Sequence, residues 1–160
     1  MTSSRRAEIR EYLRGYLDRA GKTEEIARRI TYLESEAYSV KSIDTTAERV
    51  QSSPRTHDRI GEIIGKIDAE AQELMEQLTE ERNAQAEVVK TIYKIKNKRA
   101  RSVIFNRFID GFTWEKTAEV QGHSLRWTHV LEEQGLDELD KIIPKKMLRN
   151  VHSSSIVVGL

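Results

Sequence analysis

Between His57 and about Ile95, apolar residues recur alternately four and three positions apart, and this repeat constrains the fold more than any other feature. The series comprises Ile60, Ile64, Ile67, Ala71, Leu74, Leu78, Val88, Ile92 and Ile95, and the polar residues Glu81 and Gln85 occupy two further positions of it. A seven-residue repeat maintained over this length is typical of a coiled-coil seam. The sequence therefore predicts one long helix whose apolar stripe packs against another helix.

A second apolar stripe, between residues 5 and 40, can supply that partner helix. It comprises Ile9, Leu13, Tyr16, Leu17 and Ala20, followed by Ile26, Ile30, Leu33, Ala37 and Val40. The phase of the stripe changes at Gly21, which predicts a kink or short break there, with Thr23 as a new N-cap. Residues 41–56 are rich in Ser and Thr and contain Pro54, which predicts a loop. The two helices are expected to form an antiparallel hairpin, although self-association could bury the same seam.

The composition agrees with long exposed helices rather than a large compact core. Charged residues make up 33% of the chain, and it contains only 8 Gly and 2 Pro. Because it has no cysteine, it lacks disulfides and thiolate metal ligands, which fits a reducing compartment. No apolar run approaches the roughly 20 residues that a membrane span needs. No apolar segment follows the basic N-terminus either, as it would in a secretory signal. We therefore expect a cytoplasmic protein that does not associate with a membrane.

Residues 96–145 have the order of a helix-turn-helix. The segment ARSVIFNRFIDGF is apolar enough to predict a mostly buried helix that ends at Asp110 and Gly111. Thr113 is then suited to cap a short helix over residues 114–120. Glu115 lies in the first turn of this helix, where the helix dipole favours an acidic residue. We expect Trp114 to fix this short helix against Phe105 and Phe108 of the preceding one.

The turn and the second helix of this unit meet the steric demands of the motif. Ala118 supplies a small residue where the two helices cross, and Gly122 supplies the positive φ that the turn requires. Ser124 is suited to cap the second helix, which is expected over residues 125–142 and is closed by Pro144.

The stretch RSVIFNRFIDGFTWEKTAEVQGHS, with LEEQGLDEL after it, resembles region four of bacterial sigma factors. It resembles more closely the ArpU/RinA-type family of small phage late-gene transcription regulators. The matching residues are Arg107, Phe108, Gly111, Thr113, Trp114, Ala118, Gly122 and Ser124. The upstream part is similar too: two long helices are joined by a loop that contains Pro54, and Asp58 lies near the start of the second helix. The resemblance therefore covers roughly residues 10–140. It implies a phage or prophage origin and a role in switching on late genes.

The chain departs from the family pattern at several positions. Polar residues stand where the family has aliphatic ones at Thr117, Gln121 and Thr128; His123 replaces an aromatic residue, and Gly135 replaces alanine. Burying an unpartnered polar group costs about 1–3 kcal/mol, and a helical glycine costs about 1 kcal/mol. We expect either a repacked unit or one stabilised by a partner, and favour repacking. The repacking residues would be Val120, Trp127, Val130 and Leu131.

The start of the second helix faces the major groove when such a unit docks on DNA. The candidate base contacts are Leu125, Arg126, Trp127 and His129, with Glu133 facing the groove a turn later. The candidate phosphate contacts are Ser124, Thr113, Lys116, Lys98, Arg99 and Arg101. Arg126 is suited to guanine because a guanidinium can bond O6 and N7 together. Trp127 could equally belong to the core, and the basic cluster could be ordinary solvated surface. Double-stranded DNA is the expected partner.

Two other functions fit the same pattern. The two apolar residues beside Arg126 at the start of the second helix would also suit a protein interface. The unit could then bind bacterial RNA polymerase or another regulator and have lost its contact with DNA. A small terminase subunit of a phage packaging machine also joins a helix-turn-helix to coiled-coil helices. No catalytic, cofactor or metal-ligand spacing occurs, so an enzyme is not expected. The overall prediction is an all-α protein with an oligomerising helical hairpin over residues 1–95, a helix-turn-helix over 96–145 and a tail over 146–160.

Overall fold

The structure, a computed structural model, describes residues 3–47 and 54–148. The protein is all-α, and the described residues contain no strand. Its main helices are α1 (Ser3–Ala47), α2 (Pro54–Tyr93), α3 (Lys98–Phe108), α4 (Trp114–Gln121) and α5 (Leu125–Ile142). Residues 145–148 form one further helical turn. The fold class expected from the sequence is therefore confirmed.

Two predicted interruptions of the long helices are wrong. Gly21 and Thr23 lie inside α1, which continues without a break. Residues 41–47 are helical as well, and Pro54 begins α2, so residues 41–47 and 54–56 of the predicted loop are helical. Proline fits the first helical position because its missing N–H would have no partner there. Residues 48–53 of the predicted loop lie outside the described residues.

The chain forms two compact units, and α1 and α2 contribute to both. The first comprises Met1–Ala20 and Asn83–Leu160, of which residues 3–20 and 83–148 are described; the second comprises Gly21–Arg82. A division at residue 95, as expected from the sequence, therefore differs from the observed units. The reason lies in the apolar residues of the first turns of α1, which belong to the same core as α3 and α5.

The second unit is an antiparallel pair of helices. Two small apolar clusters join the helices. The first contains Ile26, Ile30, Leu74 and Leu78. The second contains Leu33, Ala37, Ile67 and Ala71, and Leu74 packs against it as well. An ion pair joins Lys22 to Glu81 at 2.5 Å, and another joins Arg29 to Glu70 at 2.9 Å. The predicted hairpin is thus confirmed for this part of the chain, and polar Glu81 lies beside a cation.

The core of the first unit draws on residues from both ends of the sequence. Its buried members are Ile9, Leu13, Val88, Ile92, Ile95, Ala100, Ile104, Phe108, Leu136, Leu139, Ile143 and Leu148. The amide of Gln85, the other polar seam residue, donates to the carbonyl oxygen of Tyr16 at 3.2 Å. Leu148 is buried in this core although the sequence predicts a tail there, and residues 149–160 of that tail lie outside the described residues.

Candidate nucleic-acid interface

α4, the turn and α5 form the predicted helix-turn-helix, and its capping residues act as expected. The hydroxyl of Thr113 accepts from the amide of Lys116 at 3.1 Å, and that of Ser124 accepts from the amide of Trp127 at 3.2 Å. Gly122 has φ 65°, in the left-handed region that glycine adopts without strain. Ala118 is buried, as a residue at the helix crossing should be. The local geometry of the motif is therefore confirmed.

The polar residues in aliphatic positions have partners within the unit. Thr117 and Thr128 are fully buried, and each hydroxyl donates to the carbonyl oxygen four residues earlier, at 2.9 and 3.0 Å. The amide of Gln121 donates to the side-chain oxygen of Asn106 at 2.5 Å. A buried polar group that keeps a hydrogen bond avoids most of its desolvation cost. The expected loss of stability at these positions is therefore largely absent.

Two of the four residues expected to provide the repacking do not fill the core. Val120 is 52% exposed and Trp127 is 41% exposed, so neither fills the core of the unit. Leu131, in contrast, is buried. The two buried threonines instead satisfy their hydroxyls on the backbone one turn earlier.

Gly135 lies where α5 passes closest to α3. A Cβ atom at this position would stand 2.3 Å from Cδ1 of Ile104 and 3.2 Å from its Cγ1. Ile104 is itself fully buried, so its side chain has little room to move away. The close approach of the two helices therefore favours glycine here, and the expected helix-propensity cost does not consider this packing.

The first turns of α5 present the candidate base-contacting residues to solvent. Leu125 is 44% exposed, and Arg126 and His129 are also exposed. Trp127 is 41% exposed, so it lies at the surface with them and not in the core. All four candidates therefore lie on the accessible surface at the start of one helix.

The candidate phosphate contacts around α4 are accessible as well. Thr113, Lys116 and Ser124 are exposed, although two of their side chains already serve as helix caps. The ammonium group of Lys116 pairs with Glu119 at 3.1 Å, and both side chains are largely exposed. Such a surface pair is weak, so it leaves the lysine able to reach a phosphate.

A stack of three side chains, which sequence reasoning did not predict, supports this surface. The ring of Trp114 lies 3.9 Å from that of His129, and the guanidinium of Arg107 lies 4.3 Å from the Trp114 ring centre. Arg107 also donates to the carbonyl oxygen of Phe112. Burial lowers the pKa of Arg107, and its buried Nε has no hydrogen-bond partner among the described residues. Trp114 thus connects α3 to the start of α5 through Arg107 and His129.

The basic cluster of α3 lies apart from the start of α5. The side-chain amide of Asn97, just before α3, donates to the side-chain oxygen of Gln134 at 3.2 Å. Gln134 lies eight residues after Arg126, or about 12 Å along the helix axis. Lys98 and Arg99 are exposed, whereas Arg101 donates to the carbonyl oxygen of Ile95 at 3.3 Å and lies over the ring of Tyr93.

The predicted set of DNA contacts therefore forms two groups on the structure. One surrounds the turn between α4 and α5, and the other lies beside the later half of α5. In the second group Lys98 and Arg99 have the exposure that phosphate contacts need, whereas Arg101 is held by contacts within the protein.

A row of ion pairs between α1 and α5 is the feature that sequence analysis missed most completely. Arg10 forms two hydrogen bonds to Glu132, at 3.0 and 2.9 Å, and Glu132 is only 1% exposed. Arg5 binds Asp140 at 2.5 Å. The carboxylate partners raise the pKa of both arginines. The spacing of charges within each helix hints at a charged stripe, but only the folded structure shows that the stripes pair.

The described residues hold no cluster of His, Asp or Glu that could bind a metal ion. Among those residues there is also no helix with the length and apolarity that crossing a bilayer requires. No protein-family model, no curated protein and no solved structure matches this chain.

Proposed function

We propose that this protein is a DNA-binding transcription regulator that recognises double-stranded DNA through its C-terminal helix-turn-helix. The observation that carries the proposal is the α4–α5 geometry, in which Gly122 makes the turn and Arg126 is exposed in the first turn of α5. Modules of this shape insert the start of the second helix into the major groove. The resemblance to ArpU/RinA-type regulators supports a more specific role in the late transcription of a phage or prophage.

The exposed residues suggest how such a complex would form. Arg126 would donate to O6 and N7 of a guanine, the commonest specific contact of an arginine with DNA. Leu125 and Trp127 would contact thymine methyl groups, and His129 would lie at the edge of the groove. Thr113, Lys116 and Ser124 would meet phosphates and so fix the register of the helix. No catalytic role is part of this proposal.

Selection from randomised duplex DNA tests the proposal. Purified protein would be incubated with a random duplex library at about 100 mM salt, and the retained DNA would be sequenced after several rounds. An enriched motif is the expected result, and its location in a genome would identify the controlled genes. Folded protein that retains no DNA at low salt in any sequence context would contradict the proposal.

A second candidate function rests on the apolar character of the same surface. Val120, Leu125 and Trp127 are each more than two-fifths exposed near the turn. Aromatic and aliphatic residues beside an arginine are common at protein interfaces, and bacterial RNA polymerase would be the partner. Copurification with polymerase that survives nuclease treatment, together with no enriched DNA motif, would favour this function over the first.

The proposal also includes homo-oligomerisation through the helical hairpin, in the cytoplasm of a bacterial host. Tyr38 is 75% exposed and Ile43 is 64% exposed on α1, so this helix has apolar residues that its partner α2 does not cover. Sedimentation at several protein concentrations measures the oligomeric state. A dimer agrees with a regulator that binds two half-sites, whereas a ring of eight or more subunits would point instead to a small-terminase role.

A further inference from the structure

The charge of α5 conflicts with the role proposed for it. Residues 125–142 contain two basic and five acidic residues, a net charge of −3. DNA is a dense row of negative charges, and its affinity for a protein depends strongly on the charges that approach it. A helix with this composition, taken alone, would repel the groove that it is proposed to enter.

All five carboxylates have partners elsewhere in the first unit, and three of these partners, Arg5, Arg6 and Arg10, are cations. Glu132 is bound by Arg10, Asp140 is bound by Arg5, and Glu138 accepts from the backbone amides of Lys96 and Asn97 at 2.6 and 3.2 Å. The remaining two carboxylates, those of Glu133 and Asp137, are both bound by the single guanidinium of Arg6. The distances are 3.2 Å to Glu133, and 3.0 and 3.1 Å to Asp137.

Glu133 and Asp137 are the carboxylates of α5 that would affect DNA most. Their side chains are 50% and 42% exposed, whereas that of Glu132 is only 2% exposed. Glu133 follows Arg126 by seven residues, so it lies on the same face of α5 and about 10 Å along the axis. This separation is about one Debye length at 0.1 M salt, so screening weakens the repulsion without removing it.

We propose that Arg6 makes the outer face of α5 more compatible with DNA by offsetting one of the two negative charges that Glu133 and Asp137 place there. This inference rests on the function proposed above and adds the first turns of α1 to the DNA-binding unit. Arg6 acts through the two carboxylates and contacts no base, so it is a positioning residue for the helix and not a specificity residue. Its charge lowers the repulsion, and its two-carboxylate bridge holds the exposed side of α5 against α1.

The test compares variants of the full chain on the motif obtained by selection, at several salt concentrations. Arg6→Gln removes the cation, Glu133→Gln with Asp137→Asn removes both carboxylates, and a triple variant carries all three changes. Arg28→Gln, at an exposed position of α1 in the second unit, is the matched control. Thermal unfolding followed by circular dichroism checks that each form is folded.

The affinity for DNA should rise as the negative charge on the outer face of α5, including its partner Arg6, becomes smaller. We expect Arg6→Gln to bind about five-fold more weakly than the unchanged protein at 100 mM salt, because two carboxylates near the groove then lack their shared cation and repel the DNA more strongly. The triple variant should bind at least as tightly as the unchanged protein, although it lacks the bridges. The variant without the two carboxylates should bind more tightly than any other form. Arg28→Gln should leave the affinity unchanged.

Other outcomes would overturn the inference in distinguishable ways. If Arg6→Gln and the triple variant lose affinity equally, Arg6 contacts DNA itself or only stabilises the fold, and the role in offsetting this negative charge is wrong. If Arg6→Gln does not fold, the variant without the carboxylates still decides, because an unchanged affinity for DNA would contradict the proposal. If the unchanged protein binds no DNA, the proposed function fails and this inference fails with it.

Discussion

At the scale of single residues, the buried threonines show how a local choice of rotamer removes a conflict that the sequence predicts. Thr117 and Thr128 occupy positions where an aliphatic side chain is expected, and the sequence alone indicates a cost. In the structure each hydroxyl bonds to the carbonyl oxygen one turn earlier. The sequence reveals the polarity of a residue but not its χ1 angle, so this compensation could not be predicted.

Thr128→Val tests whether that compensation is complete. Valine keeps the shape of threonine, and the carbonyl oxygen of Ser124 still accepts from the amide of residue 128 at 2.9 Å. We therefore expect the free energy of unfolding, measured by urea denaturation, to change by less than about 1 kcal/mol. Leu131→Ala, a neighbouring core change, should cost about 2–5 kcal/mol and shows that the measurement detects changes in this unit. An increase of more than about 2 kcal/mol in the free energy of unfolding for Thr128→Val would mean that the Thr128 hydroxyl lacks a good hydrogen bond.

Gly135 provides a second test at this scale, because two glycines of long helices should respond in opposite directions to alanine. At Gly135 a Cβ atom would collide with Ile104, whereas at Gly21 no atom lies within 4 Å of that position. Gly135→Ala should destabilise the protein by about 1–3 kcal/mol from overpacking, less the gain in helix propensity. Gly21→Ala should stabilise it by about 0.5–1 kcal/mol. Equal effects in thermal unfolding would contradict the close crossing of α3 and α5.

At the scale of helices, periodic apolar residues predict the structure well, and single-residue signals predict it poorly. The repeat in α2 and the stripe in α1 identify both long helices and their pairing. The break expected at Gly21 is absent because buried Leu13 and Ile26 hold α1 on both sides of it. The Ser and Thr residues after Val40 predict a loop, but α1 continues to Ala47. Tertiary packing outweighs local propensity where the two disagree.

The ion pair between Arg10 and Glu132 should contribute far more to stability than a similar pair in the hairpin. The carboxylate of Glu132 is almost completely buried, so Arg10→Gln would leave a buried charge without its cation. We expect a loss of about 3 kcal/mol in the free energy of unfolding, near the low end for buried pairs because Arg10 is partly exposed. Arg29→Gln breaks a pair whose two side chains are 48% and 46% exposed, and should cost less than about 1 kcal/mol. Equal losses would contradict the burial of Glu132.

At the scale of the whole molecule, the sequence predicts the hairpin and the helix-turn-helix but not the boundary between the two units. The first turns of α1 join a core that is completed by residues more than a hundred positions later, such as Leu136. Apolar stripes show which face of a helix is buried but not which distant helix covers it. The exposed start of α5 was predictable because the turn and its caps are local in sequence, whereas the arginines that support α5 were not.

A fragment of residues 96–148 tests this organisation. It contains the complete helix-turn-helix but lacks five of the twelve buried residues of the shared core, Ile9, Leu13, Val88, Ile92 and Ile95. It also leaves Glu132 without Arg10. We expect it to show little cooperative thermal unfolding by circular dichroism, because so much of the buried cluster is missing. The full chain under the same conditions is the control. A fragment that unfolds cooperatively near the temperature of the full chain would show that the helix-turn-helix is an independent domain.

The effect of Arg126→Ala on a selected motif tests most directly whether the first turn of α5 recognises DNA sequence. We expect the variant to lose its preference at one guanine and to bind the motif about 10- to 100-fold more weakly, as loss of one bidentate base contact should cause. Arg82→Ala, at an exposed position on α2, should keep both the motif and the affinity. Full retention of the motif and of the affinity by Arg126→Ala would contradict the account.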